Sequence, residues 1–89
     1  MTRCESDILL ATSIGETICQ IRKGKKIKQQ ELAAMTNISR ITLSRIEHGK
    51  RLGFLSLWSL NKIAAALGLR MSDIVRRAEE NIAGGKNVP

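Results

Sequence analysis

The strongest constraint on the fold of this chain is the spacing of apolar residues between positions 28 and 49. The first part of this stretch contains Leu32, and the second contains Leu43 and Ile46. Their helical spacing is typical of residues that face one shared core. Asn37 falls between the two parts, and asparagine tolerates the left-handed backbone conformation of a tight turn. The stretch therefore predicts two short helices that are joined by a turn of about three residues and pack on the same core.

The second predicted helix has one face that the core does not use. Ser39 has the side chain of a helix N-cap, and Gly49 is suited to end the helix. Two short helices with the second one exposed in this way form the geometry of a helix-turn-helix, whose second helix lies in the major groove of DNA. The outward residues of the second helix are Arg40, Ile41, Ser44 and Arg45.

Basic residues are concentrated on the same stretch and the segment that leads into it. Residues 22–51 contain nine Lys or Arg and two acidic residues, a net charge of +7, which is also the net charge of the whole chain. Because the excess coincides with the two-helix pattern, it predicts a nucleic-acid surface more strongly than a uniformly basic composition would. The alternative is a basic surface that only faces solvent.

The composition is that of a single all-α domain. The length of 89 residues suffices for one modest core, and the only proline is Pro89, the last residue, so no proline interrupts a helix. β-branched residues recur at helical spacing rather than in alternation. One Phe, one Trp and no Tyr supply few rings for stacking on single-stranded nucleic acid. Double-stranded DNA is therefore the expected ligand.

Five helices are predicted, with a segment at each terminus. Helix 1 carries a stripe of isoleucines, begins near Ser6 or near Thr12, and ends just before Gly24. Ser56 caps the fourth helix, and Ser72 opens the fifth. The predicted organisation is an N-terminal arm or helix 1 extension over 1–13, a helix-turn-helix DNA-binding domain over 14–82 and a disordered tail over 83–89.

Residues suited to metal binding, catalysis or membrane insertion are scarce. Cys4 and Cys19 form no CxxC motif, and the only histidine, His48, lies far downstream, so the spacing of a metal site is absent. No nucleophile motif or glycine-rich phosphate loop occurs. No apolar run approaches the ~18 residues of a membrane span. We expect a cytoplasmic protein that is not an enzyme and has no cofactor, no metal site and no catalytic residue.

Several short motifs follow one another in order over roughly residues 14–74. They are Ile14-Gly15-Glu16, Ile21-Arg22, Gln29-Gln30-Glu31-Leu32-Ala33, Ile38-Ser39-Arg40, Thr42-Leu43-Ser44-Arg45-Ile46-Glu47-His48-Gly49-Lys50 and Leu60-Asn61-Lys62-Ile63-Ala64-Ala65-Ala66-Leu67. Taken together and in this order, they resemble the Xre/Cro family of bacterial and phage repressors. The resemblance implies a compact, five-helix, lambda-repressor-like DNA-binding domain, which usually acts as a dimer on a pseudo-palindromic DNA site.

The resemblance also implies roles for individual residues at the DNA. Gln29 matches a glutamine that opens helix 2 and contacts phosphate in the family. Arg40 and Arg45 match base-reading positions, where a guanidinium can fork onto a guanine, and one of the two can instead hold phosphate alone. Ile41 suits a thymine methyl group. The implied DNA-binding residues are Gln29, Ser39, Arg40, Ile41, Thr42, Ser44, Arg45, Lys50 and Arg51.

Arg22 and Glu47 match a charged pair that bridges helices 1 and 3 in related repressors. A pair of this kind, when partly buried, mainly fixes how the two helices sit on each other. We therefore interpret Arg22 and Glu47 as structural support for the second helix of the helix-turn-helix.

A dimer interface is predicted from an aromatic residue that does not fit the core pattern. Trp58 falls off the core stripe of helix 4, and an outward Trp beside Phe54 would form an exposed apolar patch. The alternative is that Phe54 and Trp58 fold back and complete the core of a monomer. The predicted interface residues are Phe54, Trp58, Val75 and Ala78.

The function predicted from these observations is a sequence-specific transcriptional regulator. Its expected partners are double-stranded DNA and a second copy of the chain, with RNA polymerase as a further candidate because a bound dimer blocks or aids the polymerase. A phage-type repressor and a restriction–modification controller both fit this description. An antitoxin, or a protein-interaction module that uses the same fold without reading DNA, is the alternative.

Overall fold

The computed structural model describes residues 3–49 and 55–84. These two ranges contain five helices and no strand, so the all-α, five-helix prediction is confirmed. The helices are α1 (Arg3–Gly24), α2 (Gln29–Thr36), α3 (Arg40–His48), α4 (Leu57–Ala66) and α5 (Met71–Ala83).

One aliphatic core lies between the five helices. Helix α1 packs against α3 and α5, α2 packs against α3 and α4, and α4 packs against α5. Leu32, Leu43 and Ile46, which the sequence placed in the core of the two-helix motif, are at most 2% exposed. The other buried Ile and Leu residues are Ile14, Ile18, Ile38, Leu60, Ile63, Leu67 and Ile74.

The turn between α2 and α3 is built around Asn37, as the sequence predicted. Its φ angle of 58° is left-handed. The backbone N–H of Ile38 then donates to the carbonyl of Ala33 at 3.2 Å, and the Ile38 side chain is 8% exposed. The Ser39 Oγ accepts the backbone N–H of Thr42 at 3.1 Å and so caps α3. These contacts fix the direction in which α3 leaves the turn.

Helix α1 differs from its predicted bounds at both ends. It begins at Arg3, so residues 3–13 lie within the helix. Gly24 is its last residue rather than the residue after it, and the left-handed conformation falls on Lys26, with a φ angle of 58°. The backbone N–H of Lys26 donates to the carbonyl of Lys23 at 3.0 Å. With this hydrogen bond the chain turns towards α2 at Lys26. The position of Gly24 was therefore a misleading signal for the end of the helix.

Two buried hydroxyl groups line the contact between α1 and α5, and the sequence did not predict them. The Ser13 Oγ donates to the carbonyl of Ala78 at 2.8 Å, and the Thr17 Oγ1 accepts from the Asn81 side-chain amide at 3.3 Å. Ala78 itself is 0% exposed. Its assignment to the dimer interface is therefore wrong, because α5 packs against α1 at this residue and the methyl group of Ala78 is out of reach of a partner.

The backbones of α1 and α3 touch at two glycines. Gly15 of α1 lies against the carbonyl oxygens of Ile46 and Glu47, and a β-carbon at this position would overlap the first of them. Gly49, which has a φ angle of 64°, follows α3 and lies against Thr12 of α1. The position of α3 is thus set by direct backbone contact with α1.

We predict that Gly15→Ala lowers the free energy of unfolding by about 1–3 kcal/mol, because the added methyl group forces α1 and α3 apart. Urea denaturation followed by circular dichroism measures the change. Gly24→Ala is the matched control in the same helix, since apart from the adjoining backbone of α1 no atom lies within 4 Å of the added β-carbon. The control should change stability by less than about 1 kcal/mol. Equal effects of the two substitutions would contradict the close approach.

Candidate nucleic-acid interface

The solvent-facing side of α3 carries the four residues that the sequence placed there. Ile41 is 67% exposed, Arg40 and Arg45 are exposed, and Ser44 is half-buried. An isoleucine with so much of its side chain in water adds little to the stability of the monomer. Two guanidinium groups and one apolar side chain are therefore displayed together on one short, rigid helix.

A shallow depression separates this face of α3 from the start of α2. Its lining combines side chains that donate hydrogen bonds with the apolar side chain of Ile41. No acidic residue is among the five that line it, so nothing in the lining repels a polyanion. The lining residues are Gln29, Arg40, Ile41, Ser44 and Arg45.

Ser39 and Thr42 stabilise the start of α3 by hydrogen bonds to each other. Besides accepting the backbone N–H of Thr42, the Ser39 hydroxyl donates to the Thr42 hydroxyl at 2.8 Å. Both residues lie at the N-terminal turn of α3, beside Arg40. Their contacts to DNA stay predictions, and the hydrogen bonds assign them first of all to the geometry of the helix start.

The first turn of α2 presents backbone N–H groups that no side chain caps. The N-cap residue is Lys28, whose side chain has no acceptor atom and makes no capping hydrogen bond. Its own backbone N–H donates to the Glu31 carboxylate at 3.0 Å. Exposed amides at a helix N-terminus, together with the helix dipole, favour an anion such as a DNA phosphate. Gln29 is the first residue of this turn.

Behind the exposed face, Arg22 and Glu47 form the ion pair that the sequence predicted. Arg22 Nε lies 2.7 Å from Glu47 Oε2, and Arg22 Nη2 lies 3.1 Å from Oε1, while the side chains are 9% and 3% exposed. The hydrogen bond to Glu47 raises the pKa of the Arg22 guanidinium above its ordinary value, against the opposing effect of burial. Arg22 Nη1 also donates to the carbonyl of Ile27 at 2.9 Å. The pair ties α1 to the last turn of α3.

Gln29 joins the same carboxylate, a contact that the sequence analysis missed. The Gln29 Nε2 donates to Glu47 Oε1 at 3.0 Å. One carboxylate therefore links α1, α2 and α3. The two residues lie 18 positions apart on different helices, so neither helical spacing nor composition could have paired them.

His48 is a second feature that the sequence analysis left unused. Its Nδ1–H donates to the carbonyl of Ser44 at 2.6 Å, which holds the ring along the last turn of α3. The i, i+4 spacing from Ser44 was the signal that places both residues on one face of the helix.

The remaining predicted site residues are spread over other parts of the chain. Trp58 is 65% exposed, so the alternative in which it completes the core of the monomer is wrong. The Lys62 Nζ lies 3.7 Å from the centroid of the Trp58 ring. Val75 is half-buried at the edge of the core. Three predicted residues, Lys50, Arg51 and Phe54, lie outside the described residues.

Two further findings apply to residues 3–49 and 55–84. None of their helices is long and apolar enough to cross a membrane. Among the side chains that the structure describes, those of residues 9–49 and 55–84, no three His, Cys, Asp or Glu come close enough together to hold a metal ion.

We predict that Arg22→Met lowers the free energy of unfolding by about 3–5 kcal/mol, because it leaves the Glu47 carboxylate buried without its cation. Arg22→Met combined with Glu47→Leu is the control, since it removes both charges and keeps a similar side-chain volume. The double variant should regain most of the lost stability in chemical denaturation. A double variant no more stable than the single one would contradict the assignment of the cost to an unpaired charge.

Comparison with known proteins places the fold and the exposed helix in a family. Residues 17–80 match the sequence model of the Cro/C1-type helix-turn-helix DNA-binding domain. The chain is 40% identical over 63 residues to the immunity repressor protein of Bacillus phage phi105, and this match covers 71% of the chain and 42% of the relative. The chain therefore spans less than half the length of that relative.

Two solved structures have the same fold. The clp gene regulator ClgR from Corynebacterium glutamicum aligns with a TM-score of 0.80 and 26% identity, covering 86% of this chain and 80% of that one. A variant of the restriction–modification controller protein C.Esp1396I aligns with a TM-score of 0.73 and 27% identity, covering 83% of this chain and 91% of that one. The family resemblance read from the sequence is confirmed: the chain belongs to the family of Cro/C1-type helix-turn-helix DNA-binding domains.

Proposed function

We propose that the chain is a sequence-specific transcriptional regulator that binds a pseudo-palindromic operator as a dimer. The observation that carries the proposal is the outward face of α3, where Arg40, Ile41 and Arg45 are exposed on a helix whose position is set by backbone contact and a buried ion pair. Side chains on a rigid element can meet base edges in a reproducible geometry.

Base reading is assigned to the outward face of α3. Each of Arg40 and Arg45 can form two parallel hydrogen bonds to the O6 and N7 atoms of a guanine, worth about 1–3 kcal/mol of discrimination against another base. Ile41 lies between them on the helix surface and suits the methyl group of a thymine. Ser44 contributes a hydroxyl that can donate or accept.

Phosphate contacts are assigned to the first turn of α2 and to nearby basic residues. The uncapped N–H groups and the Gln29 amide can bind one phosphate oxygen, which fixes register without reading sequence. Lysines at the end of α1 and before α2 add long-range attraction that weakens as salt rises. These lysines are Lys23, Lys25, Lys26 and Lys28.

The dimer is proposed on α4 and α5. Trp58 and Val75 remain from the interface predicted in the sequence, and so does Phe54, which lies outside the described residues. A large exposed aromatic side chain such as that of Trp58 is a typical anchor of protein interfaces. Two copies related by a two-fold axis would place their α3 helices one turn of DNA apart, ~34 Å. The relatives include a phage repressor and a restriction–modification controller, and both roles are consistent with a dimer that blocks or aids RNA polymerase at its operator.

The test of this function is selection of bound sequences from a random duplex library at about 0.15 M salt, where loose phosphate attraction is weakened. A two-fold symmetric motif is the expected result, and its spacing gives the distance between half-sites. Binding that yields no motif and disappears as salt rises would overturn the proposal and favour a protein-interaction module with a non-specific basic surface.

We predict that Arg45→Gln relaxes the preference at one position of each half-site, because it removes a bidentate contact worth about 1–3 kcal/mol. Selection with the variant, compared with the parent protein, measures this directly. Lys25→Gln is the control, since an exposed lysine at phosphate should weaken binding to all sequences alike. An even loss of affinity in Arg45→Gln would assign Arg45 to phosphate instead.

We predict that Trp58→Ala shifts the protein from dimer to monomer with little loss of monomer stability, because most of the ring faces solvent in the monomer. Sedimentation velocity measures the size, and urea denaturation measures the stability. A variant that unfolds more easily but keeps the size of the parent protein would contradict the role of Trp58 in the dimer.

A further inference from the structure

Gln29 lies on two surfaces of the molecule at once. It lines the depression on the α3 face beside Arg40 and Arg45. It also lines the hollow behind that face, together with Arg22 and Glu47. Its half-buried side chain therefore connects the buried ion pair to the surface assigned to DNA.

The Glu47 carboxylate determines which way the Gln29 amide faces. A carboxylate only accepts hydrogen bonds, so the group at 3.0 Å from Glu47 Oε1 is the Nε2 of Gln29 and not its amide oxygen. One Nε2 hydrogen is used in this bond, and the second remains. Because two hydrogen bonds from Arg22 hold the carboxylate, the amide cannot flip without losing a bond to a charged acceptor.

We propose that Glu47 is a positioning residue for DNA binding, which acts through Gln29 and does not touch DNA itself. The proposal rests on the phosphate contact assigned to Gln29 above. Arg22 fixes Glu47, Glu47 fixes the amide of Gln29, and the second Nε2 hydrogen donates to a phosphate oxygen that the first-turn N–H groups of α2 also face. Since the amide is oriented before DNA arrives, binding orders one side chain fewer.

The arrangement can be tested without DNA. In 15N-labelled protein, the side-chain amide protons of Gln29 should exchange with water more slowly than those of Gln30, its exposed neighbour. The variant that combines Arg22→Met with Glu47→Leu removes the acceptor without leaving a buried charge. In this variant the Gln29 protons should exchange as fast as those of Gln30. Unchanged slow exchange in the variant would overturn the proposal.

The role at DNA is tested with duplexes of the selected operator in which one phosphate at a time is replaced by an uncharged methylphosphonate. In the parent protein, binding should weaken when the phosphate that Gln29 contacts in each half-site is replaced. Gln29→Met should weaken binding to the unmodified duplex about tenfold, the value of one hydrogen bond to a charged group. It should also reduce the sensitivity at that phosphate and at no other, and the remaining sensitivity there is due to the first-turn N–H groups of α2. Gln30→Met is the control and should change neither quantity.

The combined Arg22→Met and Glu47→Leu variant should show the same reduced sensitivity at this phosphate and keep the full sensitivity at the others. Adding Gln29→Met to this variant should cause little further loss, because residues that act through one contact are not additive. An even weakening at every phosphate, with the full tenfold loss when Gln29→Met is added, would show a merely structural role and overturn the proposal.

The two experiments separate this proposal from the function on which it rests. If the parent protein binds no duplex selectively, the proposed function fails and the positioning role fails with it. The exchange measurement then still reports whether the carboxylate holds the amide. If selective binding is present and the Gln29 amide exchanges as fast as that of Gln30, only the positioning role is overturned.

Discussion

The position of the exposed helix depends on one buried carboxylate. Glu47 sits in the last turn of α3 with its side chain 3% exposed, and a charge in that environment is tolerated only when it is paired and hydrogen-bonded. Arg22 from α1 supplies the cation, and Gln29 from α2 supplies a further donor. Because both partners bind the same carboxylate, three helices are linked at one point, and loss of Arg22 alone would leave the buried charge without its cation.

Steric contact adds to this electrostatic constraint. At Gly15 and Gly49 the chains of α1 and α3 approach so closely that a side chain would not fit. Leu43 and Ile46 form the apolar side of α3 and are buried in the core. Only the residues on the opposite side of the helix can therefore be exchanged without changing the core. A DNA-binding domain benefits from this division, because hydrogen bonds to base edges require a fixed helix while their chemistry depends on a few exposed side chains.

Helical spacing and turn residues made most of the fold predictable. The periodicity of Leu32, Leu43 and Ile46 and the left-handed tolerance of Asn37 are local properties, and the structure has these residues where the pattern predicted. Ala78 was misassigned because an alanine on an amphipathic helix gives no strong signal for either face. The bond from Gln29 to Glu47 could not be anticipated, since it depends on how α2 and α3 cross, which no spacing within a single helix encodes.

The sequence by itself determined the existence of the five helices, the concentration of positive charge on the two-helix motif and the outward residues of α3. These follow from periodicity and composition, which act over a few residues. Only the tertiary structure decided that Glu47 joins three helices, that Trp58 is exposed while Ala78 is buried, and that the left-handed turn after α1 falls on Lys26. The first two findings depend on distances between segments that are far apart in the chain. The third depends on which of several neighbouring hydrogen bonds form at the turn. All of them are decided only when the helices pack.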